Sequence, residues 1–168
     1  MSRARTIADY SPGVTVADLW RLTADANAGT NADVTANLAQ ASDSSSGFIG
    51  TGMTESSGVF TFPSTGVWLI NITACFDHNG SADVNSQLAI DVSSDSGSTY
   101  DEVALARGGV ETTSRQFSMS SGVALVDVTS ASTFRVKFRT SSFDANTTLK
   151  GSSTANITSF TFIRLGDT

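Results

Sequence analysis

Apolar and polar positions alternate most clearly in Gly58-Val59-Phe60-Thr61-Phe62-Pro63-Ser64-Thr65-Gly66-Val67-Trp68-Leu69-Ile70-Asn71-Ile72. The pattern predicts one strand entering a Pro-Ser-Thr-Gly turn and a longer strand leaving it. Side chains alternate along a strand, so Phe60 and Phe62 share one face. Val67, Leu69 and Asn71 take one face of the second strand, and Trp68, Ile70 and Ile72 the other. Similar runs follow at 87–92, 102–107, 115–120, 124–128, 134–139 and 159–165. Phe134, Val136 and Phe138 alternate with Arg135, Lys137 and Arg139, and Phe160 and Phe162 recur two apart in the last run. Eight to ten short strands separated by turn residues predict an all-β sandwich or closed roll.

Two stretches are less decided. Val16, Leu19, Trp20 and Thr23 sit at helical spacing, while Trp20 and Leu22 sit at strand spacing, so residues 14–24 read as strand or short helix. Residues 25–47 hold Ala, Asn, Asp, Thr and Ser with few apolar anchors. They predict a long connection with one short strand near 37–39, and the core is expected to begin in earnest at Phe48 and Ile49.

Composition sharpens the picture. Only 15% of residues are charged, and the formal net charge is −6 with a pI near 4.5. Such an acidic chain is a poor partner for phosphate backbones, so nucleic-acid binding is not expected. The single cysteine, Cys75, permits no intrachain disulfide and reads as a small buried apolar residue. No apolar run approaches the ~18 residues of a membrane helix. The opening residues lack the apolar core of a secretion signal. The sequons at Asn71, Asn146 and Asn156 are read as chance matches, two of them within predicted strands.

The residues give little support for catalysis. His78 is the sole histidine and lies in Asp77-His78-Asn79-Gly80, where the Asn-Gly pair signals a hairpin; a solvated turn residue is expected. Zinc would need more His and Cys ligands than the chain has, and no cofactor motif is present. Asp101 and Glu102 are adjacent, so on a strand they point to opposite faces and cannot flank one glycosidic bond. Asp77, Asp83, Asp91 and Asp95 are read as solvated turn acids, with a calcium site as the competing reading. Ser93-Ser94-Asp95-Ser96-Gly97-Ser98-Thr99-Tyr100 contains the Asp-box pattern, similar to that repeated in sialidases. One copy is expected to serve as a local hairpin device. Asp95 would accept backbone N–H groups and Gly97 would take positive φ. Arg135, Lys137 and Arg139 form a cationic strip, either an exposed strand face that discourages edge pairing or an ionic seam against a neighbouring subunit.

Phe60, Phe62, Gly66, Trp68 and Ile70 are spaced as in the complement C-one-q and tumour necrosis factor superfamily, which the chain resembles over most of residues 14–166. The final run containing Phe160 and Phe162 is similar to the superfamily's last strand. The resemblance implies a jelly-roll β-sandwich that assembles as a homotrimer, and binding or assembly in place of enzymatic turnover. No collagen or transmembrane stalk precedes the expected head. The opening Met1-Ser2-Arg3-Ala4-Arg5-Thr6-Ile7-Ala8-Asp9-Tyr10 resembles the starts of tailed-phage virion proteins. On that resemblance residues 1–13 are an arm, anchored through Arg3, Arg5, Ile7 and Tyr10, and residues 14–168 are the trimerising jelly roll. The implied function is capsid decoration or cementing, with the major capsid protein or another virion protein as partner and the virion as location. The competing reading is a fibre head that binds a host receptor or surface glycan through the loops 77–85 and 140–148. No cofactor and no membrane partner are implied.

Overall fold

The computed structural model describes residues 13–42, 46–111 and 113–168. Arg3, Arg5, Ile7 and Tyr10 of the expected arm lie outside the described residues. Eleven strands and no helix occur among the described residues: β1 Val16–Leu22, β2 Leu38–Gln40, β3 Thr54–Ser56, β4 Val59–Thr61, β5 Gly66–His78, β6 Asp83–Ser93, β7 Asp101–Val110, β8 Gln116–Val128, β9 Arg135–Ser141, β10 Thr147–Leu149 and β11 Ser159–Gly166. They form two antiparallel sheets. The first runs β8, β5, β11, β1, β2, with β10 pairing the far end of β5; the second runs β3, β4, β9, β6, β7. The architecture is a jelly-roll β-sandwich.

The ambiguity at residues 14–24 resolves as strand. β1 pairs β11 from Val16↔Arg164 to Arg21↔Ser159, so helical spacing there was coincidental. Trp20 then faces inward and meets the Phe60 ring edge-on at 5.1 Å between centroids. Phe60 is fully buried at the hub of the core, with ring centroids of Phe138 at 5.5 Å and Phe162 at 5.2 Å. Phe138 stacks on Phe160 at 4.1 Å, and Phe62 meets Trp68 at 5.3 Å. Every apolar member of the predicted signature (Phe60, Phe62, Trp68, Ile70, Phe160, Phe162) is buried in this cluster. Cys75 is buried as expected, and burial, the largest cause, raises its thiol pKa.

Gly66 has its own reason for being glycine. Its φ is 134°, a region that L side chains rarely adopt, and a Cβ there would run into the Gly166 carbonyl oxygen and the Arg164 guanidinium. The start of β5 and the end of β11 close together only because this side chain is missing. Gly122 of β8 similarly lets the two sheets meet, since a Cβ there would stand 3.0 Å from the Leu105 carbonyl carbon of β7.

The long connection 25–47 is docked onto the sandwich where it is described. Ala26 bridges Leu149, Asp33 bridges Arg139, and the Val34 N–H donates to the Phe138 carbonyl at 2.8 Å while its side chain is fully buried. Phe48 and Ile49 do not begin the core: they are 56% and 50% exposed. Ile49 bridges Ala17 and so continues the outward row of the first sheet, on the face away from the core. The buried carboxylate of Asp18 stitches this corner, accepting from Trp20 Nε1 (2.8 Å), Gln40 Nε2 (2.7 Å) and the Met53 N–H (2.7 Å).

Candidate interaction surface

β5 and β8 are long strands whose side chains alternate between the core and the outward face of the first sheet. Trp68, Ile70 and Ile72 face the core, so Val67, Leu69 and Asn71 face out, as the sequence pattern predicts. β8 does the same with Ala124, Val126 and Val128 inside, leaving Phe117 (55% exposed), Met119 (65%), Val123 (56%) and Leu125 (65%) outside. The strand register aligns these positions across the sheet. Leu125 pairs Leu69, Leu69 pairs Ile163, Ile163 pairs Ala17, and Ala17 bridges Ile49. The next row is Val123, Asn71, Thr161 and Leu19. Two adjacent rows, four or five strands wide, therefore carry no charged side chain. Contiguous exposed apolar surface of this kind marks an interaction site more often than scattered exposed leucines do.

The missed signal lay in residues 116–128. At Val123, Ala124, Leu125 and Val126 both parities are apolar, which predicts a strand covered on both faces there. The core takes one face, and the other is left for a partner.

The opposite sheet is chemically different. On β9, Arg139 forks onto Asp91, with Nε donating at 2.8 Å, and reaches Glu102 at 3.0 Å. Lys137 pairs with Asp33 at 2.9 Å and lies 4.3 Å from the Tyr100 ring centroid. Arg135 donates to the carbonyls of Phe134 (2.7 Å) and Ser132 (2.9 Å). Lys137 and Arg139 are thus paired with acids of the same chain, and Arg135 is held by backbone carbonyls. The Asp-box loop behaves as the local device expected: the Asp95 carboxylate accepts from the Thr99 N–H (2.9 Å), Thr99 Oγ1 (2.7 Å) and Ser93 Oγ (2.7 Å). Those bonds, led by the Thr99 N–H, hold its pKa down at about 2, and Gly97 takes φ 88°.

His78 is not a solvated turn residue. It ends β5 with its side chain fully buried, because the strand runs on through Asp77 and His78, the first two residues of the expected turn. Its Nε2 lies 2.8 Å from Ser118 Oγ and its Nδ1 3.3 Å from Thr147 Oγ1. The Thr147 hydroxyl donates to Asp83 at 2.5 Å, so it can only accept from His78 Nδ1–H. That leaves Nε2 to accept from Ser118 and fixes the neutral Nδ1–H tautomer. Burial, outweighing Asp83 and Asp77, lowers the imidazole pKa.

The same cluster anchors two loops to one another. The Ser81 hydroxyl donates to Asp144, Asn146 Nδ2 donates to Ser81 Oγ at 3.4 Å, and the Asn79 N–H donates to the Asn146 carbonyl at 3.1 Å. The loops 79–82 and 142–146 therefore form one hydrogen-bonded tip. The acids considered for calcium are spread among separate partners. Asp77 is clamped by Arg115 at 3.0 and 2.6 Å, and that hydrogen-bonded guanidinium lowers its pKa. No group of three or more His, Cys, Asp or Glu placed to hold a metal occurs among the described residues.

No protein-family model matches the chain, and no curated protein sequence does. Its fold, however, is similar to solved structures. The structure of Eiger TNF from S. frugiperda superposes with a TM-score of 0.64 at 10% identity, covering 93% of this chain and 96% of that one. Murine APRIL at pH 8.5 superposes with a TM-score of 0.55 at 13% identity, covering 89% of this chain and 98% of that one. At such identity the likeness establishes the fold: a jelly roll of the tumour necrosis factor type.

Proposed function

We propose that this chain is a non-enzymatic structural protein of a tailed-phage virion, a homotrimer that decorates and stabilises the capsid. The observation that carries the assembly half of the reading is the uncharged apolar face of β8, β5, β11 and β1. From β8 across to Ile49 its two rows span four strand spacings, about 19 Å. Copies of an acidic chain repel one another, and a face free of charge is where they can still close. The tumour necrosis factor-type fold supports the same choice of partner. The capsid half rests on the opening Ser2-Arg3-Ala4-Arg5 and its resemblance to virion proteins. Three basic arms on one trimer would combine weak contacts into firm attachment to an acidic shell.

The test has two steps. Native mass of the purified chain, measured well below micromolar concentration, should give a trimer; a monomer there would remove the symmetry argument. Deletion of residues 1–13 should then abolish binding to capsids while leaving the trimer intact, and retained binding would end the arm hypothesis. One observation favours a second reading, a receptor- or glycan-binding fibre head: the loops 79–82 and 142–146 are locked into a single tip by Ser81, Asp144 and Asn146. Binding of the trimer to host cells, lost on exchanging that tip, would favour the head over the cement.

A further inference from the structure

Within the uncharged face, Asn71 stands out. It sits mid-strand on β5, between Val123 of β8 and Thr161 of β11, with the apolar Leu69–Leu125–Ile163 row on one side and the polar Thr73–Ser121–Ser159 row on the other. Its Oδ1 is buried and accepts no hydrogen bond. A buried acceptor without a donor is costly, so an arrangement that supplies one is favoured. Nothing in its own row offers one readily: the Val123 side chain has no donor, and Thr161 leaves Oδ1 unmet in the structure. Rotation about the terminal torsion of asparagine is broad, so the carboxamide can turn outward at little cost.

We infer that Asn71 is the polar lock of the subunit interface. In this assignment the carboxamides of three copies converge and close a ring, each Nδ2–H donating to the Oδ1 of the next. The inference rests on the homotrimer reading above and adds to it the residue that sets the number and register of copies. The chemistry suits three-fold closure: one carboxamide presents a donor and an acceptor, so a head-to-tail ring satisfies every Oδ1 with identical partners. A polar side chain at a subunit seam is a known means of fixing register and oligomeric state, because any other alignment leaves it unpaired in a dry interface.

The experiment measures native mass against concentration for the full chain and for Asn71→Asp and Asn71→Lys, alone and co-refolded as a mixture. The wild-type chain should be trimeric at pH 8 and pH 4. Asn71→Asp should be trimeric at pH 4, where its carboxyl can be neutral, which also shows that the variant folds. At pH 8 three converging carboxylates repel, and half-assembly should need at least about a hundredfold more protein. Asn71→Lys should likewise dissociate at pH 8. The mixture of the two variants should re-form trimers at pH 8, because opposite charges then meet at one point. Three outcomes overturn the lock: charged variants that stay trimeric, a mixture that is not rescued, or Asn71→Asp dissociated equally at both pH values. A monomeric wild-type chain would instead overturn the homotrimer reading itself, and the lock with it.

Discussion

Replacing Leu125 with serine separates assembly from folding. Leu125 lies on the outward face of β8 and is 65% exposed in the single chain. Its core-facing neighbours Ala124 and Val126 are buried, so truncating Leu125 opens no cavity in the sandwich. Exposed substitutions of this kind usually change fold stability by no more than about 0.5 kcal/mol. The consequence for association is larger. Full burial of a leucine side chain is worth about 1.5–3 kcal/mol, so covering the part still exposed contributes about 1–2 kcal/mol per copy. Three copies lose about 3–6 kcal/mol per trimer, or about 10²–10⁴ in the trimer association constant at 1.4 kcal/mol per decade. Because that constant scales with the square of concentration, the half-assembly point should rise about 10- to 100-fold. Sedimentation or mass photometry across a dilution series reads the shift, and urea unfolding of the dissociated chain reads the fold. An unchanged half-assembly point would refute the interface. A large fall in the urea midpoint of the monomer would refute the claim that the residue is idle within the chain.

Phe60→Ala should do the reverse. It empties the hub against which Trp20, Phe138 and Phe162 pack, and should lower unfolding free energy by about 3–5 kcal/mol, seen as a lower urea midpoint at any concentration. His78 predicts an acid dependence. Its folded pKa lies below the unfolded value near 6.5, so below that pH the unfolded chain binds more protons than the folded one. Stability from this group is therefore complete above about pH 6.5 and is lost as pH falls through the lower, folded value. His78→Gln should be less stable at pH 7 but should flatten the fall in urea midpoint between pH 7 and pH 5; an unchanged slope would show that another group drives it.

The fold was largely legible from the sequence, because a two-residue period is a local signal that each strand carries by itself. Phe60, Phe62, Trp68 and Ile70 announced their shared interior without reference to anything distant, and the turn glycines and prolines marked the ends. The Asp-box loop was legible for the same reason, since Asp95 bonds within four residues of itself. Residues 14–24 were not, because seven residues fit two periods and only pairing with β11, some 140 positions away, selects the strand.

What tertiary structure alone decided is which apolar surface is spent and which is left over. Sequence placed Phe48 and Ile49 in the core on hydrophobicity; the bridge to Ala17 turned Ile49 outward into the uncharged row. Sequence placed His78 in solvent beside an Asn-Gly pair; Thr147 and Ser118, both distant in the chain, enclose it. The strip Arg135, Lys137 and Arg139 was readable as three cations, but the acid partners of Lys137 and Arg139 were not, because Asp33, Asp91 and Glu102 reach them through sheet pairing and a docked loop. Alternation tells which residues share a face, and register across strands tells what that face meets. The first is written in neighbouring residues, and the second exists only once distant strands lie side by side.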